Sequence, residues 1–374
     1  MNVHFYTPMK HPSHPVPSGD RLMAQLLRRC LEMCGHPVTL VAGPCTYDGS
    51  GDPRIQQQLR AAADVQTDSL LQLFAQSAVK PDLWFTYHVY HKAPDWIGPA
   101  VSRALSIPYV IAEASYASKA AALGWDMGAR SAELSIRSAD LVFSMTRTDR
   151  DGIADLLTPR QLHLDLPPFL DPAPYAALPR SRHQDGAPVE LLTVAMMRTG
   201  GKLESYRRLA EYLQACAQKN WRLSIVGDGP SRNDVEQAMA LLEPGRVRFL
   251  GQIQEADLLQ VYLQSDLFVW PAAGEAYGMA MLEAQAAGLP VIAGRGRGVE
   301  HVVCDGKTGF LTPEGDAEAF AGVVDFLISD VIARRDMGAA AAAFVRSERN
   351  LDSACEILRR GFDALPRRPL KAHR

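Results

Sequence analysis

No stretch of this sequence is apolar for the ~20 residues that span a bilayer, and its longest apolar runs are of strand length. Cysteine is scarce: Cys30, Cys34, Cys45, Cys216, Cys304 and Cys355 are the only six, and none form a C-x-x-C pair. That argues against a disulfide framework and makes a reducing cytoplasm the expected compartment. Cys30 and Cys34, one helical turn apart, are expected to pack. No sign of charge dominates, since 39 Lys and Arg meet 42 Asp and Glu for a net charge of -3. A basic field aimed at nucleic acid is therefore absent. No Lys or Arg cluster precedes the apolar run that begins at Val3, so no signal peptide is expected. A dinucleotide fingerprint is missing too: the alternating glycines of Gly294 to Gly298 do not make G-x-G-x-x-G, which disfavours a nicotinamide enzyme. No repeat of solenoid period is visible.

The composition present is that of a soluble globular protein, 47% apolar and 22% charged over 374 residues. That length predicts two domains of about 150–200 residues each. In the first half, short apolar runs at Val3 to Thr7, Val38 to Ala42, Leu83 to Tyr87, Tyr109 to Ala112 and Leu141 to Ser144 alternate with helical patterns, among them Arg21 to Met33 and Ala132 to Ser138. A proline-rich, polar stretch between Pro167 and Pro188 reads as a linker. Alternation then restarts, with strands expected at Glu190–Ala195, Leu223–Val226, Arg248–Leu250, Leu267–Trp270 and Pro290–Ala293. From about Asp316 the chain reads as helical, ending in a basic tail, PRRPLKAHR. Such a tail is a solvated end or is drawn to an acidic surface, with peripheral contact at the inner membrane as the second reading. Strands alternating with helices imply parallel, doubly wound α/β sheets.

The stretch Asp266 to Gly309 carries the most chemistry. A buried strand ends at Trp270–Pro271, a small-residue loop follows, and a helix is expected to start near Glu275 or Ala276. Small residues admit a ligand to the backbone, and the first N–H groups of a helix lack partners, so a strand's C-terminal end becomes an anion site suited to a diphosphate. Glu283 lies eight residues after Glu275, a little over two helical turns, so both carboxylates are expected to face one cleft. Glu283 can accept two hydrogen bonds from a ribose diol, and Glu275 sits where a sugar beyond the phosphates would lie. Both are alternatively surface glutamates stabilising a helix.

Read together, this run resembles the E-x7-E signature of retaining family 4 glycosyltransferases (glycosyl transferases group 1) of the GT-B fold. VAMMRTGGKLESY, LSIVGDGPSRNDVE, VRFLGQI, ADLFVWPA, GKTGFL and GDAEAF follow in that family's order. The resemblance implies two Rossmann-like domains facing a cleft and sugar transfer from a nucleotide diphosphate sugar, with UDP- or GDP-sugars as donors. It implies that Glu283 binds the ribose and Glu275 the donor sugar. Arg198 and Lys202 would neutralise the phosphates without metal or cofactor, and the Gly-bearing loop after the strand Glu190–Ala195 is a physically sensible place for them. Ala276, Tyr277, Gly278 and Met279 would line the donor, the last two through backbone N–H groups. In the first half, Gly19 and Asp20 resemble the family's glycine loop, with one glycine where two are common. His88 and Glu113 stand where the family often has a histidine near the reacting sugar and an acid, while Ala114 replaces a frequent histidine.

Several signals read two ways. Gly227 and Gly229 line the base pocket or simply make a turn. His88 is catalytic or a buried structural histidine, and His91 is weaker. Asp149–Arg150–Asp151 has D-x-D spacing but falls in the first turn of an expected helix, where acids suit the dipole. His11 and His14 share an H-x-x-H spacing without further ligands, so no metal site is expected. The expected division is 1–175 as the acceptor-side domain, 176–188 as linker, 189–350 as the nucleotide-sugar domain, and 351–374 as a helix crossing back plus tail. The alternatives are a non-catalytic sugar-nucleotide-binding protein and another GT-B enzyme, an epimerase or a phosphorylase; a phosphorylase would need a cofactor lysine that the sequence does not reveal. The acceptor is unknown.

Overall fold

The computed structural model describes residues 1–176 and 186–366. The basic tail after Pro366 and most of the expected linker lie outside these residues. Two compact units are found: Met1–Pro167 with Leu351–Arg374, and Pro168–Asn350. Pro168 to Ala176 thus goes with the second unit rather than the first.

The first unit has six strands: β1 (Val3–Tyr6), β2 (Val38–Leu40), β3 (Leu83–Val89), β4 (Tyr109–Ala114), β5 (Leu141–Ser144) and β6 (Leu162–Asp165). They lie side by side in the order β2-β1-β3-β4-β5-β6, all pairs parallel. Strands β1, β4 and β5 are buried at every position, as a parallel sheet covered on both faces requires. The helix Gly19–Met33 buries Met23, Leu26, Leu27, Cys30 and Leu31. The last helix, Leu351–Asp363, returns to pack on it, and the thiols lock into the seam: Cys30 Sγ reaches Leu351 O at 3.6 Å and Cys355 Sγ reaches Cys30 O at 3.5 Å. Leu358 and Phe362 are also buried there, each contributing ~1.5–3 kcal/mol by leaving water.

The second unit repeats the plan with β7 (Val189–Val194), β8 (Trp221–Val226), β9 (Val247–Gly251), β10 (Leu267–Trp270), β11 (Val291–Gly294) and β12 (Gly309–Thr312). Their order is β12-β11-β10-β7-β8-β9, again parallel throughout. Counted from β7, this is the doubly wound dinucleotide-binding order, with its reversal point between β7 and β10. The α/β, Rossmann-like class expected of each half is what the chain has.

Local departures have local causes. A 24-residue helix, Pro53–Gln76, was not marked by the sequence; few of its residues are buried, so its apolar stripe is thin. The terminal helical stretch is three helices, Ala317–Ser329, Val331–Glu348 and Leu351–Asp363, with Asp316 and Asp330 as side-chain N-caps of the first two. Among the described residues no helix is long and apolar enough to cross a membrane.

Candidate functional site

Ligands of open α/β sheets bind outside the carboxyl ends of the strands, where strand order reverses. In the second unit that place lies between the ends of β7 and β10. Lys202 follows β7, in the first turn of the helix Gly201–Ala215, whose N-cap Gly200 supplies no side-chain cap. A cation there opposes the helix dipole and adds to the positive potential of the unpaired N–H groups. Its ammonium bonds Glu275 Oε2, which also accepts from Trp270 Nε1 at 3.2 Å. Lys202 Nζ stands 5.3 Å from the centre of the Trp270 ring, and Tyr206 holds that ring edge-on at 5.1 Å. Arg198, on the same loop, is exposed and makes no ion pair with a described residue.

The helix after β10 is Met279–Ala286, later than the expected start at Glu275 or Ala276. Gly274 (φ 62°) and Gly278 (φ 79°) are both left-handed and keep the chain out of the helix until Met279. Glu275 is therefore a loop residue, and the two carboxylates are not stacked on one helix as the spacing suggested. Gly278 caps the helix with no side-chain bond, leaving a second uncapped N-terminus beside Lys202's partner Glu275. Ala276 is exposed in this loop, while Tyr277 and Met279 are buried. Glu283 lies in the second turn. Its Oε2 accepts from the buried Tyr262 hydroxyl at 2.8 Å. Burial pushes its carboxyl up to about 7, eased by the Tyr262 bond and reinforced by Glu255. Gly227 and Gly229 have a close-packing role: a Cβ on them would lie 1.9 Å from Ala195 O and 2.3 Å from Met197 O, so they let the loop after β8 press against the loop bearing Arg198.

In the first unit the corresponding reversal lies between β1 and β3. Ser18 caps the helix Gly19–Met33, accepting from Arg21 N at 3.2 Å, and so aims Asp20 from the first turn. His88 Nδ1 lies 3.0 Å from Asp20 Oδ1 and its Nε2 3.7 Å from Glu113 Oε1. His88 (φ 65°) and Glu113 (φ 62°) are both left-handed at the ends of β3 and β4, a conformation costing about 1–3 kcal/mol per residue and concentrated at functional sites. Burial alone would lower the imidazole. The charge of Glu113, the hydrogen bond and charge of Asp20, and the charge of Asp149 outweigh it and raise His88 to about 9. Glu113 is itself pushed up to about 7 by burial, against the attraction of His88 and with repulsion from Asp20 and Asp149. Asp20 titrates below its ordinary value, because the bond and charge of His88 outweigh its burial.

The other signals separate from these sites. His91 turns away to the Trp125 ring, 5.6 Å between centres. His11 and His14 serve local turns, bonding Ser13 Oγ and Val16 N. Among the described residues no group of three or more His, Cys, Asp or Glu could hold a metal. Asp149 lies in the first turn of the helix Arg147–Ile153, where the N-cap Thr146 accepts from its backbone N–H at 3.1 Å. It also contributes its charge to His88, a role that no spacing revealed. Trp270 and Tyr262 were likewise missed: each reads as an ordinary apolar position of a strand or helix, and only its polar atom betrays it.

Residues 193–344 match the glycosyl transferases group 1 family. The sulfoquinovosyl transferase SQD2 of Arabidopsis thaliana is 32% identical over 167 residues, 43% of this chain and 31% of that protein. The D-inositol 3-phosphate glycosyltransferase of Corynebacterium efficiens is 32% identical over 183 residues, 46% of this chain and 42% of that one. The matched segments thus span less than half the length of each of these relatives. The crystal structure of Anabaena HepE in complex with UDP superposes over 98% of this chain and 100% of its own, with a TM-score of 0.73 at 17% identity, a likeness of fold.

Proposed function

We propose that this chain, whose residues 193–344 match the glycosyl transferases group 1 family, transfers a sugar from a nucleotide diphosphate sugar to an acceptor hydroxyl with retention at the anomeric carbon. The observation that carries the reading is the second unit's reversal point, where Lys202, Glu275 and two uncapped helix N-termini converge. Helix N-termini without side-chain caps at a strand's C-terminal end suit a diphosphate. Glu283 takes the ribose, Arg198 and Lys202 take the phosphates, and Glu275 takes hydroxyls of the donor sugar. Lys202 pairs with Glu275, and the diphosphate becomes its second anionic partner. UDP and GDP are the expected nucleotides, and the structural neighbour HepE was solved with UDP.

The bond from the anomeric carbon to the phosphate oxygen breaks, and the nucleoside diphosphate leaves with the electron pair. The acceptor oxygen bonds the same face of that carbon, and its proton passes to the departing phosphate. Charge grows on the leaving group, where two cations and two helix ends can stabilise it, so the reading needs no divalent ion. The first unit's Asp20, His88 and Glu113 are assigned to the acceptor. A cytoplasmic setting fits six cysteines that are all free.

The test is transfer from UDP-, GDP- and ADP-sugars in excess chelator, with the product's anomeric coupling read by proton NMR. A retained product supports the reading. An inverted product removes the retaining mechanism, and activity only with added manganese or magnesium removes metal independence.

A further inference from the structure

Tyr262 belongs to none of the motifs, yet it lies directly behind Glu283. It closes the helix Glu255–Leu263 and is fully buried. Its hydroxyl is 2.8 Å from Glu283 Oε2 and 3.3 Å from the carbonyl of Ala280. A phenol has one proton to give. Given to Glu283, it fills one oxygen of an ionised carboxylate and leaves the other for a ligand. Turned to Ala280, it frees the phenol oxygen to accept from a protonated Glu283. The ring is fixed for this task by Phe268, stacked with centres 6.5 Å apart, and by Tyr175, edge-on at 6.3 Å. The titratable groups facing Glu283 are Tyr262 and Glu255 from one helix and Tyr175 from the segment Ala173–Ala176. Burial and Glu255 favour the protonated carboxyl, and Tyr262 is the counterweight.

We propose that Tyr262 is a positioning residue whose hydroxyl holds Glu283 Oε2, favouring the ionised carboxylate with its second oxygen turned to the ribose of the nucleotide, and thereby sets the pH range over which donor affinity rises. This rests on the assignment of Glu283 to the ribose. Loss of the phenol proton donor raises the Glu283 titration further, so the nucleotide meets a protonated carboxyl at neutral pH.

UDP, GDP and ADP are titrated by calorimetry from pH 5.5 to 9 into the wild-type chain, Tyr262→Phe and Glu283→Gln, and the tightest nucleotide is followed. Wild-type affinity rises through pH ~7, relative to Glu283→Gln, which carries only the ligand's own titration. If Tyr262→Phe moves the midpoint up by about one unit, binding is about fivefold weaker at pH 7 and recovers at pH 9. Equal weakening at every pH means that the hydroxyl does not act through the ionisation of Glu283 and overturns the proposal, as does an unmoved midpoint. If Glu283→Gln binds like wild type across the range, or no nucleotide binds, the ribose assignment itself falls.

Discussion

The two units build the same six-stranded parallel plan and place their polar groups at the same point, where strand order reverses, yet they balance charge in opposite ways. In the first unit a raised histidine is enclosed by its own chain: Asp20 on one ring nitrogen, Glu113 near the other, Asp149 at longer range. In the second, one lysine meets one carboxylate, two helix N-termini lack a side-chain cap, and Arg198 is exposed. One site surrounds its cation with carboxyl groups of its own unit and suits the orientation of neutral hydroxyls. The other leaves positive potential for an anion to satisfy.

That contrast breaks most sharply on the second unit's cations. Arg198→Ala should cut turnover by about 10²–10³, the usual cost of one contact to developing charge, and should weaken acceptor binding far less. Near-normal turnover would remove Arg198 from the leaving-group role and leave Lys202 and the helix ends to carry it.

The first unit should instead show itself in stability against pH. The folded His88 titrates near 9 against an ordinary 6.5. Its stabilisation is therefore complete below about pH 6.5 and is lost as pH rises through about 9. Its full value is on the order of 3 kcal/mol. Glu113, raised from 4.5 to about 7, acts in the same direction at lower pH, since the folded chain resists losing that proton. Denaturant unfolding should show stability falling between pH 6.5 and 9, and His88→Gln should flatten the fall. A variant with the wild-type slope would contradict the ionised histidine.

The smallest effect is expected where a tempting spacing means little. Asp151 is exposed, and its neighbour Arg150 pairs with Asp165 at 2.6 Å. Asp151→Asn should change stability by no more than about 0.5 kcal/mol and leave transfer in chelator intact. A large loss of transfer would revive a metal role for the D-x-D spacing.

The difference between the units also explains what the sequence could reveal. The second unit's site is built from loops that follow single strands, so Lys202, Glu275 and Glu283 stand close in sequence to the glycines and apolar runs that announce them. The doubly wound alternation was legible throughout, because buried parallel strands read as short continuous apolar runs. The helix start at Met279 was not, since two left-handed glycines on either side of Glu275 and Ala276 overrode a helical spacing. In the first unit the cluster draws one residue from each of four elements, and no spacing links Asp20, His88, Glu113 and Asp149. Tyr262 was hidden for another reason: burial of its ring makes it an ordinary core position, and only the direction of one hydroxyl makes it functional.

The central claim is that the second unit binds a nucleoside diphosphate at the β7–β10 reversal, with Glu283 on the ribose. Calorimetric titration of UDP, GDP and ADP into the wild-type chain and Glu283→Ala at pH 8 tests it directly. One nucleotide should bind, and the folded variant should bind it more weakly by about 1.5–3 kcal/mol, the range of a hydrogen bond to a charged group. Equal affinity in the two chains would contradict the account.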